Sequence, residues 1–233
     1  MKIPLPKYIE TDTKRTHAFP FLIGSQTLEF LQGSIFYASF SDMAAGEYVR
    51  IPGAMARIET RFLEEISRKD YDASWKCLEK YKMIFENMVF SNVLIMFCSH
   101  WDWYIRRLSD FIIFALNYAQ NATIPKDLSR IENLPILIQI ETLEKACGLK
   151  FSISQDERSQ LKEMTLVRNL GLHNRWEIDE KYLLNSDTKG FEIGDIRFVR
   201  INELRNWHQI LISLISETSI RIAKLYYYVP EFK

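Results

Sequence analysis

Four polar side chains fall within seven positions: Arg168, Asn169, His173 and Asn174, followed directly by Arg175. A guanidinium stays charged at every relevant pH, and its planar fork can bracket two oxygens of a phosphate. An imidazole titrates near neutrality and can take or give a proton. Together they suit a phosphodiester, one residue holding the anion and the other moving protons. A blander assignment fits the same spacing: a surface arginine, and a histidine that only complements the dipole at a helix C-terminus.

The element that must position these groups is a helix. Ser154 and Glu157 stand at capping-box spacing, and Leu161, Met164, Val167 and Gly171 recur at steps of three or four, giving one buried face. Gly171 weakens the last turn, and no helical apolar pattern continues past His173. The polar cluster therefore sits at a helix end. At about 100° per residue, Asn169 and His173 share a face, while Arg168 and His173 are about 140° apart. Arg168 is long enough to curl toward the imidazole.

The string Arg168-Asn169-x-x-x-His173-Asn174 resembles the signature of the HEPN superfamily (higher eukaryotes and prokaryotes nucleotide-binding domains). There an arginine, commonly followed by a polar residue, precedes a histidine by four to six positions. The likeness covers about residues 75–228: an apolar helix before the motif, a turn after it and a last long helix beyond. A second stretch, Ser99-His100-Trp101-Asp102-Trp103-Tyr104-Ile105-Arg106-Arg107, is similar to the second-helix pattern of that family. Asp102 stands where a glutamate is usual.

The resemblance implies an all-α, HEPN-like helical bundle that acts as a metal-independent endoribonuclease without a cofactor. RNA's own 2′-hydroxyl would attack the adjacent phosphate, with His173 transferring a proton and Arg168 stabilising the developing charge. Asn169 or Asn174 would hold the imidazole or a phosphate oxygen, with Asp102 in support, and Arg175 and Arg106 would contact the RNA backbone. It also implies a homodimer, and a setting in toxin–antitoxin or antiphage systems with an antitoxin or other defence protein as partner. Some members are regulated by modification of a tyrosine two residues after the histidine. Arg175 occupies that position here, which puts that route in doubt. The alternative is a non-catalytic HEPN-like module for binding or dimerisation.

Other chemistries leave no trace. The chain has no Gly-rich phosphate loop, nucleophile elbow, His-Glu-x-x-His motif or clustered acidic metal site. His100 and Asp102, two residues apart, lie on different sides of a helix and make a poor metal pair. His17, His100 and His208 read as structural, His208 facing outward or along the last helix. Thirty basic residues balance thirty acidic ones, so RNA must be held by local charge rather than a global field. Apolar residues at 47% and aromatics at 13% support a large core and exclude a disordered chain.

Cys77, Cys98 and Cys147 are odd in number and embedded in apolar patterns. They read as reduced core residues of a cytoplasmic protein. The start carries no signal-peptide pattern, and the longest apolar runs, 93–98 and 111–116, are far too short to span a membrane.

Two regions of different texture follow from punctuation. Residues 1–50 carry Pro4, Pro6 and Pro20, with Gly24, Gly33 and Gly46 between short aromatic runs. Segments 28–31 and 35–40 flank Gln32-Gly33-Ser34 as in a β-hairpin, which predicts a small extended N-terminal arm. Residues 51–233 read as the helical domain. Met55, Ile58, Phe62 and Ile66 mark a first helix. No glycine or proline interrupts 73–119, which predicts one very long helix, split or kinked near 87–92. Residues 119–133 form a turn region; Pro135 opens and Gly148 closes the next helix. After the motif helix, 191–199 predicts a short extended piece, and Asn202 a cap for the final helix. The aromatic tail 226–233 ends helical order at Pro230.

Overall fold

In the computed structural model the described residues are 19–50, 71–118 and 125–226. They fold as an all-α assembly: α1 (Phe19–Arg50), α2 (Tyr71–Tyr118), a 3-10 helix (Lys126–Asn133), α3 (Ile136–Cys147), α4 (Gln155–Asn174), α5 (Glu180–Asn185) and α6 (Ile201–Tyr226). The frame is α2, 48 residues long and so about 72 Å from end to end. Helices α1 and α6 pack on it and on each other, and the 3-10 helix, α3 and α4 also pack against it. The core they enclose is built on Phe97, Trp101, Tyr104, Leu108 and Ile112 of α2, met by Leu31 of α1 and Trp207 of α6.

The predicted N-terminal arm is corrected by α1. Across 28–40 the chain is helix, not a hairpin, and Gly33 has no positive φ that a tight turn would need. The deciding pattern is Ile23, Thr27, Leu31, Ile35 and Ala38, all buried, whose near-four-residue spacing lays one continuous stripe on α2 and α6. That burial outweighs the roughly 1 kcal/mol that a mid-helix glycine costs. From residue 19 onward the segment is thus part of the core, not an appendage. At Gly24 α1 lies close against α6: a Cβ there would clash with Ser219 Oγ. Beside it the buried Tyr104 hydroxyl meets Thr218 Oγ1 at 2.6 Å and Ser219 Oγ at 2.8 Å, which gives this crossing a fixed register.

The helix expected from Met55 to Ile66 and the aromatic tail beyond Tyr226 lie outside the described residues. Within them, α2 is the one long helix predicted, with no split at 87–92. Asn87 has a tertiary task instead: its Oδ1 accepts from Ser91 Oγ and from the Val199 backbone N–H at 3.1 Å, tying α2 to the chain that enters α6. Helix α3 ends at Gly148 in the left-handed conformation, φ 63°, as predicted. The capping box Ser154/Glu157 opens α4, with both reciprocal hydrogen bonds present.

Beyond α4 the chain reverses through Arg175 and Trp176, both left-handed at φ 52° and 69°. The extended piece predicted at 191–199 reduces to one antiparallel bridge, Glu177 to Ile196. A buried polar knot secures this lobe. Arg197 binds Glu203 at 2.5 Å, Glu163 at 3.2 Å and the Tyr182 hydroxyl at 3.0 Å, and Tyr182 in turn donates to Glu163. Burial opposes the Arg197 charge, but Glu203 and Tyr182 more than offset this and raise its pKa. Helix α6 starts at Ile201, so Asn202 is not its cap; the Glu203 carboxylate accepts the Arg200 backbone N–H at 2.8 Å. His208 faces inward, against the Phe97 ring at 5.8 Å, which corrects its outward assignment. Among the described residues no helix is long and apolar enough to cross a membrane.

Candidate functional site

The site lies where α4 faces α2 and the start of α3. Met164 and Val167 bury one face of α4, and this sets Arg168, one position on, at the edge of the interface. Its Nη2 lies 3.8 Å from Asp102 Oδ2 on α2, and its Nη1 donates to Asn169 Oδ1 at 3.3 Å. Asp102 is itself held from the far side. Gln139 of α3 donates from Nε2 to Asp102 Oδ1 at 3.3 Å and accepts the Trp101 indole N–H. A buried indole thus orients a buried amide, the amide orients the carboxylate, and the carboxylate orients the arginine. Three helices fix the guanidinium.

These residues wall a cavity of about 230 Å³ that also takes in Glu132 at the end of the 3-10 helix. Burial raises the Asp102 pKa; the Gln139 hydrogen bond and Arg168 work against the rise, and Glu132 adds to it. The cavity therefore holds two carboxylates that repel each other and one guanidinium. The Nε of Arg168 is buried and has no hydrogen-bond partner among the described residues. With one hydrogen bond from Nη1 to Asn169 and only a 3.8 Å contact from Nη2 to Asp102, the two Nη groups retain donor capacity for a ligand. Cys98, also on the wall, is pushed up to about 12, chiefly by burial, so it is no nucleophile.

The structure brings Arg168, Asn169 and Asp102 together. His173 stands apart: exposed in the last turn of α4, about 7.5 Å further along the axis and not on the cavity wall. No hydrogen bond to a described residue orients its ring. Asn174 is engaged elsewhere, donating at 2.9 Å to Asp179, the residue that caps α5. Arg175 is the exposed left-handed cap of α4. Arg106 is exposed one turn beyond Asp102 on α2 and so shares its side of that helix.

His100 faces α1 rather than the site. It stacks on Phe30 with ring centres 5.1 Å apart, and burial lowers its pKa. Among the described residues no group of three His, Cys, Asp or Glu side chains could hold a metal ion.

Glu132, Gln139 and Trp101 escaped the sequence reading. One signal was available for Gln139, a lone amide in the apolar run Ile136-Leu-Ile-Gln139-Ile140. Such a residue, buried on a helix, must find partners. Nothing local marks Glu132. No family model, no curated protein and no solved structure matches this chain.

Proposed function

We propose that this chain is a metal-independent endoribonuclease of the HEPN type. The observation that carries the reading is Arg168: held across a helix interface by Asp102, keeping Nη donors to spare, and followed five residues later by the exposed His173. The 2′-hydroxyl of one ribose attacks the adjacent phosphate and loses its proton to a base. The 5′-oxygen of the next nucleotide leaves with a proton from an acid. The products are a 2′,3′-cyclic phosphate and a 5′-hydroxyl. Arg168 stabilises the charge that gathers on the phosphate oxygens, and Arg106 and Arg175 hold flanking phosphates.

One chain offers a single proton-transfer histidine near the motif, whereas the reaction uses an acid and a base. A two-fold axis beside the end of α4 supplies the second His173 and places each motif next to its copy. Leu172, Ile196 and Phe198 are exposed apolar side chains around that end of the molecule, as an interface there requires. The setting that fits such an activity is a cytoplasmic toxin–antitoxin or antiphage system, in which an antitoxin or other defence protein restrains the enzyme.

The test is purified protein incubated with a mixed RNA pool in EDTA. Wild type leaves cyclic-phosphate ends; His173→Ala and Arg168→Ala each lose the activity. Mixing the two inactive variants restores part of it if the cleft is shared between subunits. Cleavage that survives His173→Ala refutes the assignment.

A second reading has its own observation. Helix α1 presents Phe21, Leu22, Phe36, Phe40 and Met43 to solvent, Phe36 at 68% exposure, which suits a non-catalytic HEPN-like binding or dimerisation module. In that case the motif variants alter association only.

A further inference from the structure

We propose that the outer, apolar face of the α1–α2 pair is a docking surface for a second copy of this chain. Phe19 of α1 stacks on Phe111 of α2 with ring centres 5.8 Å apart, and Phe30 stacks on His100 at 5.1 Å. Residue numbers that rise along α1 therefore meet numbers that fall along α2, so the two helices run antiparallel. Continued at about 1.5 Å per residue on both helices, this pairing brings Met43 level with Met88, and Tyr37 within a turn of Met96. Phe36, Tyr37, Phe40 and Met43 of α1 are each more than half exposed, and Met88 of α2 is 62% exposed. The Phe36 and Phe40 rings stack only on each other in that row, at 6.4 Å. An exposed apolar face that spans two helices marks an interaction surface.

Charge narrows the occupant. Residues 19–49 include no lysine, arginine or histidine, and residues 83–105 include no lysine or arginine. Burial lowers the pKa of His100, so that ring adds no charge at neutral pH. Nucleic acid and anionic lipid both demand cations on the surface that meets them. This face offers none. Among the described side chains of α1, Glu29 is the one exposed charge, so two copies brought face to face meet little like-charge repulsion.

Shape and area favour the same partner. Two antiparallel helices with a shared apolar face are half of a four-helix bundle, and a second copy related by a two-fold axis supplies the other half. From Leu22 to Met43 the face runs about 31 Å, and two helices each about 10 Å across give it on the order of 600 Å² per copy. That approaches the roughly 800 Å² per partner of a stable, specific interface. None of these side chains lines the cavity at Arg168, and the contact is separate from a two-fold at the end of α4. It stands whether or not the chain cuts RNA.

The test is sedimentation of the full chain across micromolar concentrations, wild type against the double variant Phe36→Glu/Phe40→Glu. Both rings are exposed, so the variant should fold, and thermal unfolding followed by circular dichroism confirms that it does. Leu172→Glu, at the end of α4, serves as the control for the other two-fold. Wild type should self-associate, the double variant at least about tenfold more weakly, and Leu172→Glu should leave this step intact. Peroxide oxidation of methionines, read by mass spectrometry, locates the contact. Met43 and Met88 should become protected as wild type associates, and stay reactive in the double variant. A monomer at every concentration, or association unmoved by the double variant, overturns the proposal. So does protection of Met43 and Met88 in a monomer, which would mean that another part of the chain covers the face. Neutral phosphatidylcholine vesicles that retain monomeric wild type but not the double variant would put lipid there instead of a second copy.

Discussion

Gly33 and Gly171 both lie inside helices, yet replacing each by alanine should shift stability in opposite directions. Alanine is favoured over glycine in a helix interior by about 0.8–1 kcal/mol, because less backbone freedom is lost on folding. At Gly33 an added Cβ meets nothing within 4 Å, so the full gain survives, and Tm rises by roughly 2–4 °C for a chain of this size. At Gly171 the same methyl lands 2.2 Å from Trp176 Cζ2 and 2.3 Å from Cη2. The indole cannot slide aside freely. Its residue sits in the left-handed region at φ 69°, and its carbonyl accepts the Arg197 backbone N–H at 2.8 Å. Displacing it costs roughly 1–3 kcal/mol, as overpacking does elsewhere. Set against the helix gain, the net is a loss of up to about 2 kcal/mol, or up to roughly 8 °C in Tm. In a Trp176→Ala background the clash is gone and Gly171→Ala should no longer destabilise, a coupling of at least about 1 kcal/mol. Thermal and urea unfolding followed by circular dichroism measures all four variants. A lowered Tm for Gly33→Ala would refute the α1 helix and restore the hairpin turn. A raised Tm for Gly171→Ala would show that the indole does not rest on that glycine.

Arg197→Met leaves the Glu163 and Glu203 carboxylates without their buried cation and should cost about 3–5 kcal/mol in urea unfolding; a loss under about 1 kcal/mol would mean the knot is dispensable. Burial depresses the His208 pKa, so below about 6.5 the unfolded chain binds a proton that the folded chain does not. Stability from this residue is therefore complete above that pH and declines as pH falls toward the depressed folded value. His208→Gln should flatten the fall of Tm between pH 7 and 5, and an unchanged slope would contradict the buried neutral ring. Under the proposed ribonuclease function, Arg168→Lys keeps the charge but not the fork, so cleavage should fall nearly as far as in Arg168→Ala; full activity in the lysine variant would reject the bidentate role.

Local and tertiary information divide cleanly along this chain. The sequence alone determined the helical class, the capping box at Ser154 and Glu157, the left-handed stop at Gly148 and the buried stripe of α4, since each depends on residues within one or two turns of one another. Spacing also singled out Arg168, Asn169 and His173, and the family resemblance Asp102; the fold brings Arg168, Asn169 and Asp102 together although 66 positions separate Asp102 from Arg168, and leaves His173 apart. The nature of α1 was settled only by packing. Gly33 and the short aromatic runs favour a hairpin locally, and the burial of Ile23, Leu31 and Ile35 against α2 and α6 overrides that preference. The relay from Trp101 through Gln139 to Asp102, and the place of Glu132 on the cavity wall, were likewise beyond the sequence. Which polar groups share a desolvated space depends on how helices distant in the chain approach one another, and no spacing along a single helix encodes that approach.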